Sequence, residues 1–322
     1  MPCETRIVRS AEEIAELEPV WRRCFLIDPY ATIFQSYEWN LSMAEHLPHI
    51  ERPLVICSQD ADGNATIVPA AESLASDCLT LLGECLSDYR SILTTDASSP
   101  TIQSAFLALA NERKWLLYTA LLPEHHAVLD EFSTEGFCGA PHKTPCPGSE
   151  FAARHGRMFS RLRKLERHGF DVVEHDGSDE QLVRWIYARK SQADEHCLFR
   201  APHRVNAIVT AFRALASKVR VFTLRRDGLI IAAVIVLIDS ARGFARFYTN
   251  WFDADWRHFS PGMVLLYEAS RRVLDAGLGC DYLTGEQPYK LRMADCSRYL
   301  RRVKASPEEL RRAGGSAAGI AA

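Results

Sequence analysis

Arg257-His258-Phe259-Ser260-Pro261-Gly262, an amphipathic stretch to Gly277, and then Asp281-Tyr282-Leu283-Thr284-Gly285-Glu286-Gln287-Pro288-Tyr289-Lys290 decide how this chain is read. Ser260 is a favoured N-cap residue and Pro261 suits the first helical position, so a helix is predicted to open there. Gly262 lets a ligand come close to the backbone. The N–H groups and positive dipole end of such a terminus attract phosphate. They supply only about 1–2 kcal/mol toward it, so the Arg257 fork is expected to help. A short strand at Cys280–Thr284 then delivers a loop carrying an acid, a phenol and an amine. Glu286, Tyr289 and Lys290 are residue types that serve as base, acid and charge stabiliser. A phosphate cradle beside proton-transfer groups points to a transferase with a phosphate-bearing donor. The alternative for each is plain: a well-capped helix followed by a solvated turn.

Before that helix lies a predicted antiparallel meander, Val219–Arg225, Leu229–Ile238 and Phe244–Trp251, joined by Arg226-Asp227-Gly228 and by Asp239–Gly243. A basic helix over Glu150–His168, a strand at Asp171–His175, and helices over Ser178–Asp194 and Pro202–Ser217 precede the meander. The first half follows the same order. A strand at Thr5–Arg9 leads to a helix over Ala11–Phe25, capped by Ser10 with Glu13. A second helix covers Ser36–His46. Leu54–Ser58 and Thr66–Ala71 form a hairpin across Asp60–Asn64, and Cys78–Leu82 continues the sheet. A helix over Thr101–Arg113, a strand at Trp115–Thr119 and a helix over Glu124–Phe132 complete it. Helices, an antiparallel meander, then helix and strand is an α+β order, and its recurrence argues for internal duplication. The Pro/Gly-rich run Gly139–Gly148 reads as a connector with room for an extended strand. The expected organisation is a domain over 1–138, a linker over 139–149, a domain over 150–305 and a disordered tail over 306–322.

Composition is that of a soluble globular protein: 322 residues, 47% hydrophobic and 25% charged. The start Met1-Pro2-Cys3-Glu4-Thr5-Arg6 is too polar for a signal peptide. The longest apolar run, Leu229–Ile238, is about half a membrane span. A cytoplasmic location is expected. Ten cysteines with no C-x-x-C spacing predict free thiols and no structural metal. Charge is split: residues 1–150 hold 9 Lys+Arg against 22 Asp+Glu (net −13), and residues 151–322 hold 29 against 19 (net +10). Such asymmetry suits an anionic partner for the second half, or mutual attraction of the halves. Arg154, Arg157, Arg161, Arg163, Lys164 and Arg167 make the 150–168 helix cationic. That face is either simply solvated or meets an acidic glycan, lipid phosphates or RNA. Trp251 and Trp256 read first as core, with sugar stacking as the alternative.

The motif W-R-x-x-S-P-G-x-x-L-L over Trp256–Leu266, with A-G-x-x-x-D-Y-L-x-G-E-x-x-Y-K ending at Lys290, resembles the GNAT-like acyltransferases of bacterial cellulose and exopolysaccharide biosynthesis. That family is similar in turn to the Fem-type aminoacyl transferases. Phe34-Gln35-Ser36-Tyr37-Glu38-Trp39 and Leu86-Ser87-Asp88-Tyr89 resemble its first-domain segments, more loosely. The resemblance implies two tandem GNAT-like domains, each a mixed, mainly antiparallel sheet flanked by helices. It implies acyl-CoA as a co-substrate, with no tightly bound cofactor, and a glycan or small-molecule acceptor. It places the R-x-x-G-x-G pyrophosphate motif of GNAT enzymes at Arg257-x-x-Ser260-x-Gly262, where Ser260 replaces a glycine and Pro261 removes an amide donor. Arg257, Ser260, Gly262 and Met263 would hold the donor, Glu286 would deprotonate the acceptor, Tyr289 would protonate the thiolate, and Lys290 would stabilise charge. Thr94–Pro100 in the first half contains no glycine, so that half reads as a degenerate copy. Two rival readings stand beside this one: a Fem-type enzyme with an aminoacyl-tRNA donor, and a catalytically silent glycan-binding accessory subunit.

Overall fold

The computed structural model describes residues 3–83 and 86–315. The chain forms two units, one of Met1–Cys138, Asn206–Ala211 and Tyr299–Ala322, the other of Gly139–Val205 and Phe212–Arg298. In chain order the first elements are β1 (Glu4–Val8), α1 (Ala11–Glu16), α2 (Glu18–Ile27), α3 (Tyr37–His46), β2 (Glu51–Gln59), β3 (Ala65–Ser73) and β4 (Cys78–Leu81). Next come β5 (Leu93–Thr94), α4 (Pro100–Asn111), β6 (Trp115–Leu121), β7 (Ser133–Lys143), α5 (Gly148–Arg154), α6 (Gly156–Arg167) and β8 (Phe170–Asp176). Then follow α7 (Glu180–Ala193), α8 (Pro202–Ala214), β9 (Val219–Arg226), β10 (Leu229–Asp239) and β11 (Phe244–Phe252). The last elements are α9 (Pro261–Asp275), β12 (Gly279–Asp281), α10 (Pro288–Leu291), β13 (Cys296–Ala305) and α11 (Pro307–Gly315).

In the first unit β1, β2, β3 and β4 are antiparallel neighbours, β4 pairs β6 in parallel, and β6 pairs β13 antiparallel. In the second unit β8, β9, β10 and β11 form the meander, β11 pairs β12 in parallel, and β12 pairs β7 antiparallel. The strands of the two units therefore follow one order, with α4 and α9 as equivalent crossovers between the parallel strands. A parallel pair needs such a crossover, which a hairpin turn cannot supply.

Each unit has its own core. In the second, Val264, Leu265, Tyr267 and Val273 of α9 pack on Val234 and Val236 of β10, Ala245 of β11 and Cys280. The whole stretch Ile231–Leu237 is buried, as expected of a strand covered on both faces. In the first, Ile102, Phe106 and Leu109 of α4 pack on Ile56, Val68, Leu79 and Tyr118.

Several sequence-based expectations change. The helix over Ala11–Phe25 is two helices that break at Leu17, because Pro19 has no N–H for a continuing ladder and opens α2 instead. The helix over Glu124–Phe132 is a short 3-10 turn, Ala127–Glu131. The basic helix breaks at His155 into α5 and α6. The linker over 139–149 is mostly regular: 139–143 belongs to β7, and α5 begins at Gly148. Pro141 lacks an N–H but its carbonyl accepts from the Tyr282 amide at 2.9 Å, so the strand survives it. The tail is helical as far as Gly315, with Leu310 and Ala313 buried; residues 316–322 lie outside the described residues. No described helix is long and apolar enough to cross a membrane.

Candidate functional site

Strands β11 and β12 share only three rungs, Phe244–Gly279, Ala245–Cys280 and Arg246–Asp281. Beyond the last rung the chain after Asp281 stays with β7, since Tyr282 N–H donates to Pro141 O and Gly285 N–H to Gly139 O, both at 2.9 Å. Strand β11 continues to Phe252 without β12, still paired with β10. The two parallel strands thus part, and their carboxyl ends leave an opening in the second unit. Crevices outside the carboxyl ends of parallel strands are where ligands bind in open sheets. Phe247 and Tyr282, on the two parting segments, pack with ring centroids 5.1 Å apart. The junction is held by charge: Arg246 donates to Asp281 and also to Asp239 Oδ2 at 3.0 Å, all three being buried. Asp281 Oδ1 also accepts from Leu283 N–H at 2.9 Å and so fixes the left-handed backbone at Leu283 (φ 59°).

One wall of the opening is the start of α9. Ser260 does not cap the helix with its side chain; its backbone is left-handed (φ 53°, ψ 48°), the conformation a glycine adopts without strain. A serine held in this conformation costs about 1–2 kcal/mol relative to glycine. The Ser260 carbonyl accepts from both Met263 and Val264 N–H at 3.1 Å. Pro261 has no N–H, so the Gly262 amide is the one first-turn donor without a partner among the described residues. Gly262 is buried against Phe252, whose ring would lie 3.0 Å from an added Cβ. The Ser260 hydroxyl accepts instead from Arg161 Nη1 of α6 at 2.9 Å. Arg257 is exposed in the 3-10 turn just before it.

The other wall follows β12. Glu286 is exposed and its side chain lies over Gly139, where a Cβ would collide with it. Tyr289 on α10 is half-buried against the same apolar cluster as Met263, and burial pushes its phenol up from the ordinary value. The Lys290 ammonium donates to Thr284 O at 2.6 Å, closing the loop onto itself.

The structure therefore sets Arg257, Ser260, Gly262 and Met263 together after β11, and Glu286, Tyr289 and Lys290 together after β12. Sequence reasoning missed Arg161 as a neighbour of Ser260; the cationic helix was the signal, but not which of its residues points there. It also gave Asp281 no ion-pair partner. An arginine inside an otherwise apolar strand, Arg246, was the available cue.

The first unit differs at the equivalent place. There β4 and β6 share two rungs, and Arg90 N–H then donates to Ala120 O at 3.3 Å, so the unit's own chain lines the free edge of β6. The start of α4 is capped from within: Ser99 Oγ accepts from Thr101 N–H and donates to Asp60 Oδ2 at 3.0 Å. An acidic, self-capped terminus does not invite an anion.

Residues 153–291 match the family model described as an acetyltransferase (GNAT) domain. No curated protein matches the sequence significantly. Among solved structures, the chain is similar to a C-terminal domain from Agrobacterium fabrum assigned as a lysylphosphatidylglycerol synthetase, with 10% identity, 94% of each chain covered and a TM-score of 0.61. It is also similar to FemX, with 10% identity over 93% of this chain and 96% of that one and a TM-score of 0.61. A tandem GNAT protein from the clavulanic acid biosynthesis pathway is similar as well, at 13% identity over 95% and 99% of the chains with a TM-score of 0.52. The fold is thus α+β, two tandem GNAT-like domains. The domain match and the fold support a transferase of the GNAT type.

Proposed function

We propose that the second unit transfers an acyl group from acyl-CoA to an amine or hydroxyl, carried on a sugar or amino acid of the kind used in cell-envelope polysaccharide synthesis. The observation that carries this is the parting of β11 and β12 just past the Arg246–Asp281 rung, with an anion-favouring helix start on one side and a phenol on the other. The pathway rests on the sequence resemblance alone.

Arg257, Arg161 and the Gly262 amide would hold the donor's phosphates, with Ser260 and Met263 shaping the turn. The thioester supplies the activated acyl group. Tyr289 would give its proton to the departing thiolate; a tyrosine phenol is protonated at neutral pH, and burial here moves its ionisation further up. Glu286 is open to solvent and would order an acceptor group or a water. Because the Lys290 ammonium is bound to the Thr284 carbonyl, we give it the task of holding the loop that presents Tyr289. Transfer passes directly from donor to acceptor, with the C–S bond breaking as the new C–N or C–O bond forms.

Thiol release from an acyl-CoA panel against pooled amine and sugar acceptors tests this. Tyr289→Phe is expected to lower turnover about 100-fold. Turnover equal to wild type removes Tyr289 from the chemistry, and no turnover with any donor removes the reading.

A second donor is favoured by one observation. On α6, Arg157, Arg163, Lys164 and Arg167 are exposed with Glu166 as their sole acidic neighbour on the helix, and Arg161 of the same helix reaches Ser260. Such a track leading to the donor turn suits the phosphates of an aminoacyl-tRNA. Donor binding that falls steeply with salt would support it, because each phosphate contact releases counterions.

A further inference from the structure

Strand β11 presents its free edge to the opening, and one residue there is used by nothing described so far. Asp253 N–H donates to Ile231 O at 2.8 Å, and the register then runs Phe252–Ala232, Trp251–Ala233, Asn250–Val234. In an antiparallel pair every second rung is hydrogen-bonded. Residues 251 and 253 therefore bond to β10, while the N–H and C=O of Asn250 point away from it. They point toward the side on which β12 pairs with β11 four residues earlier, about 13 Å back along the strand. The Asn250 carbonyl is met by the Lys190 ammonium of α7 at 3.2 Å.

Lys190 is half-buried, and no carboxylate lies within ion-pair distance of it among the described residues. The titratable groups that face it are Asp194 at the end of α7 and Cys197 in the next turn. Tyr187 on the same helix is already bonded, its hydroxyl to Thr249 Oγ1 at 3.0 Å. From β11 it meets the uncharged Asn250. Desolvation dominates, and it depresses the amine from its ordinary value. A second group at the same strand position lacks a partner: Asn250 Oδ1 is buried with no hydrogen bond among the described residues. A β-bulge sets this stretch, since Ile235 pairs Thr249 while Val236 pairs Phe247, leaving Tyr248 as the extra residue. Bulges of this kind re-aim strands beside active sites.

We infer that Lys190 is the proton acceptor of the transfer reaction, placed at the free edge of β11 to take the proton from the acceptor's attacking amine or hydroxyl. The inference rests on the acyl-transfer reading. In the fraction of molecules whose Lys190 is deprotonated, the acceptor N–H or O–H proton passes to that amine, the nucleophile bonds the acyl carbon, the C–S bond breaks, and the thiolate takes the Tyr289 proton. Solvent then removes one proton from Lys190 and restores one to Tyr289, so charge and protons balance.

Two variants separate this role from a structural one. Lys190→Arg keeps a donor for the Asn250 carbonyl but cannot release a proton at working pH; Lys190→Met removes both functions. Both are expected to lose about 100-fold in kcat/KM and the acidic limb of its pH profile, with the affinity for a non-transferable acyl-CoA thioether within threefold of wild type. Turnover of Lys190→Arg within threefold of wild type, with the acidic limb intact, overturns the inference and leaves the acyl-transfer reading standing. A wild-type chain that releases no thiol from any acyl-CoA overturns both.

Discussion

Arg246 and Asp281 face each other across the last rung that β11 and β12 share, and their buried ion pair sits where the two strands separate. The carboxylate holds Leu283 in its left-handed turn while the guanidinium also binds Asp239. One network thus fixes both the depth of the opening and the direction of the loop leading to Tyr289. Removing one member strands the remaining buried charges, which typically costs about 3–5 kcal/mol. Asp281→Ala is expected to lose that much in urea unfolding, and more than Asp281→Asn, which keeps an acceptor for the Leu283 amide.

Ser260 gives a cleaner backbone test. An L-residue in the left-handed region costs about 1–2 kcal/mol relative to glycine. Ser260→Gly and Ser260→Ala both delete the hydroxyl that Arg161 contacts, so their difference isolates the backbone. The glycine variant is expected to be the more stable by about 1 kcal/mol, measured by chemical denaturation.

Gly279 begins β12 with no room for a side chain. A Cβ there would lie 2.7 Å from the Phe244 ring and 2.9 Å from the Lys143 carbonyl. Backbone cannot yield as a side chain does, so Gly279→Ala is expected to cost about 1–3 kcal/mol. For Gly139→Ala the nearest atoms all belong to the flexible, exposed Glu286 side chain, so it should move Glu286 at little cost in stability. Melting temperatures of the pair would show the order.

The raised phenol of Tyr289 has a sign that pH can check. A proton donor loses function when it ionises, and burial moves that point above the ordinary tyrosine range. Activity is expected to persist on the alkaline side beyond where a solvent-exposed tyrosine would have ionised. In Tyr289→Phe that alkaline limb should vanish along with most of the rate.

Much of this architecture was legible in the residues. The meander, the α9 crossover and the short strand that follows all carry period, cap and turn signals, and they fall where expected. Strand β7 was legible only in part: the Pro/Gly-rich run from Gly139 left room for an extended strand, but nothing local marked Ser133–Cys138 as its beginning. It becomes a strand only because Cys280 and Asp281 supply partners from far along the chain. Strand β13, Cys-Ser-Arg-Tyr-Leu-Arg-Arg-Val-Lys-Ala, is too charged to look like one, and its pairing with β6 decides the matter. For the site, clustered residues such as Ser260 and Tyr289 were visible locally. Arg161 with Ser260, or Lys190 with Asn250, are pairs about 100 and 60 residues apart; no local pattern encodes them.

The interleaving of strands has a consequence for how the protein is made. The sheet of the first unit closes on β6 with residues of β13, and that of the second takes β12's neighbour from 139–143. A ribosome reading from the amino end therefore releases some 300 residues before the first unit can finish its sheet. Until then β6 waits with an open edge, exposed to the kind of mispairing that makes slow multidomain folding hazardous. A gene fragment cut at 153, where the family match begins, would leave β12 without its antiparallel neighbour.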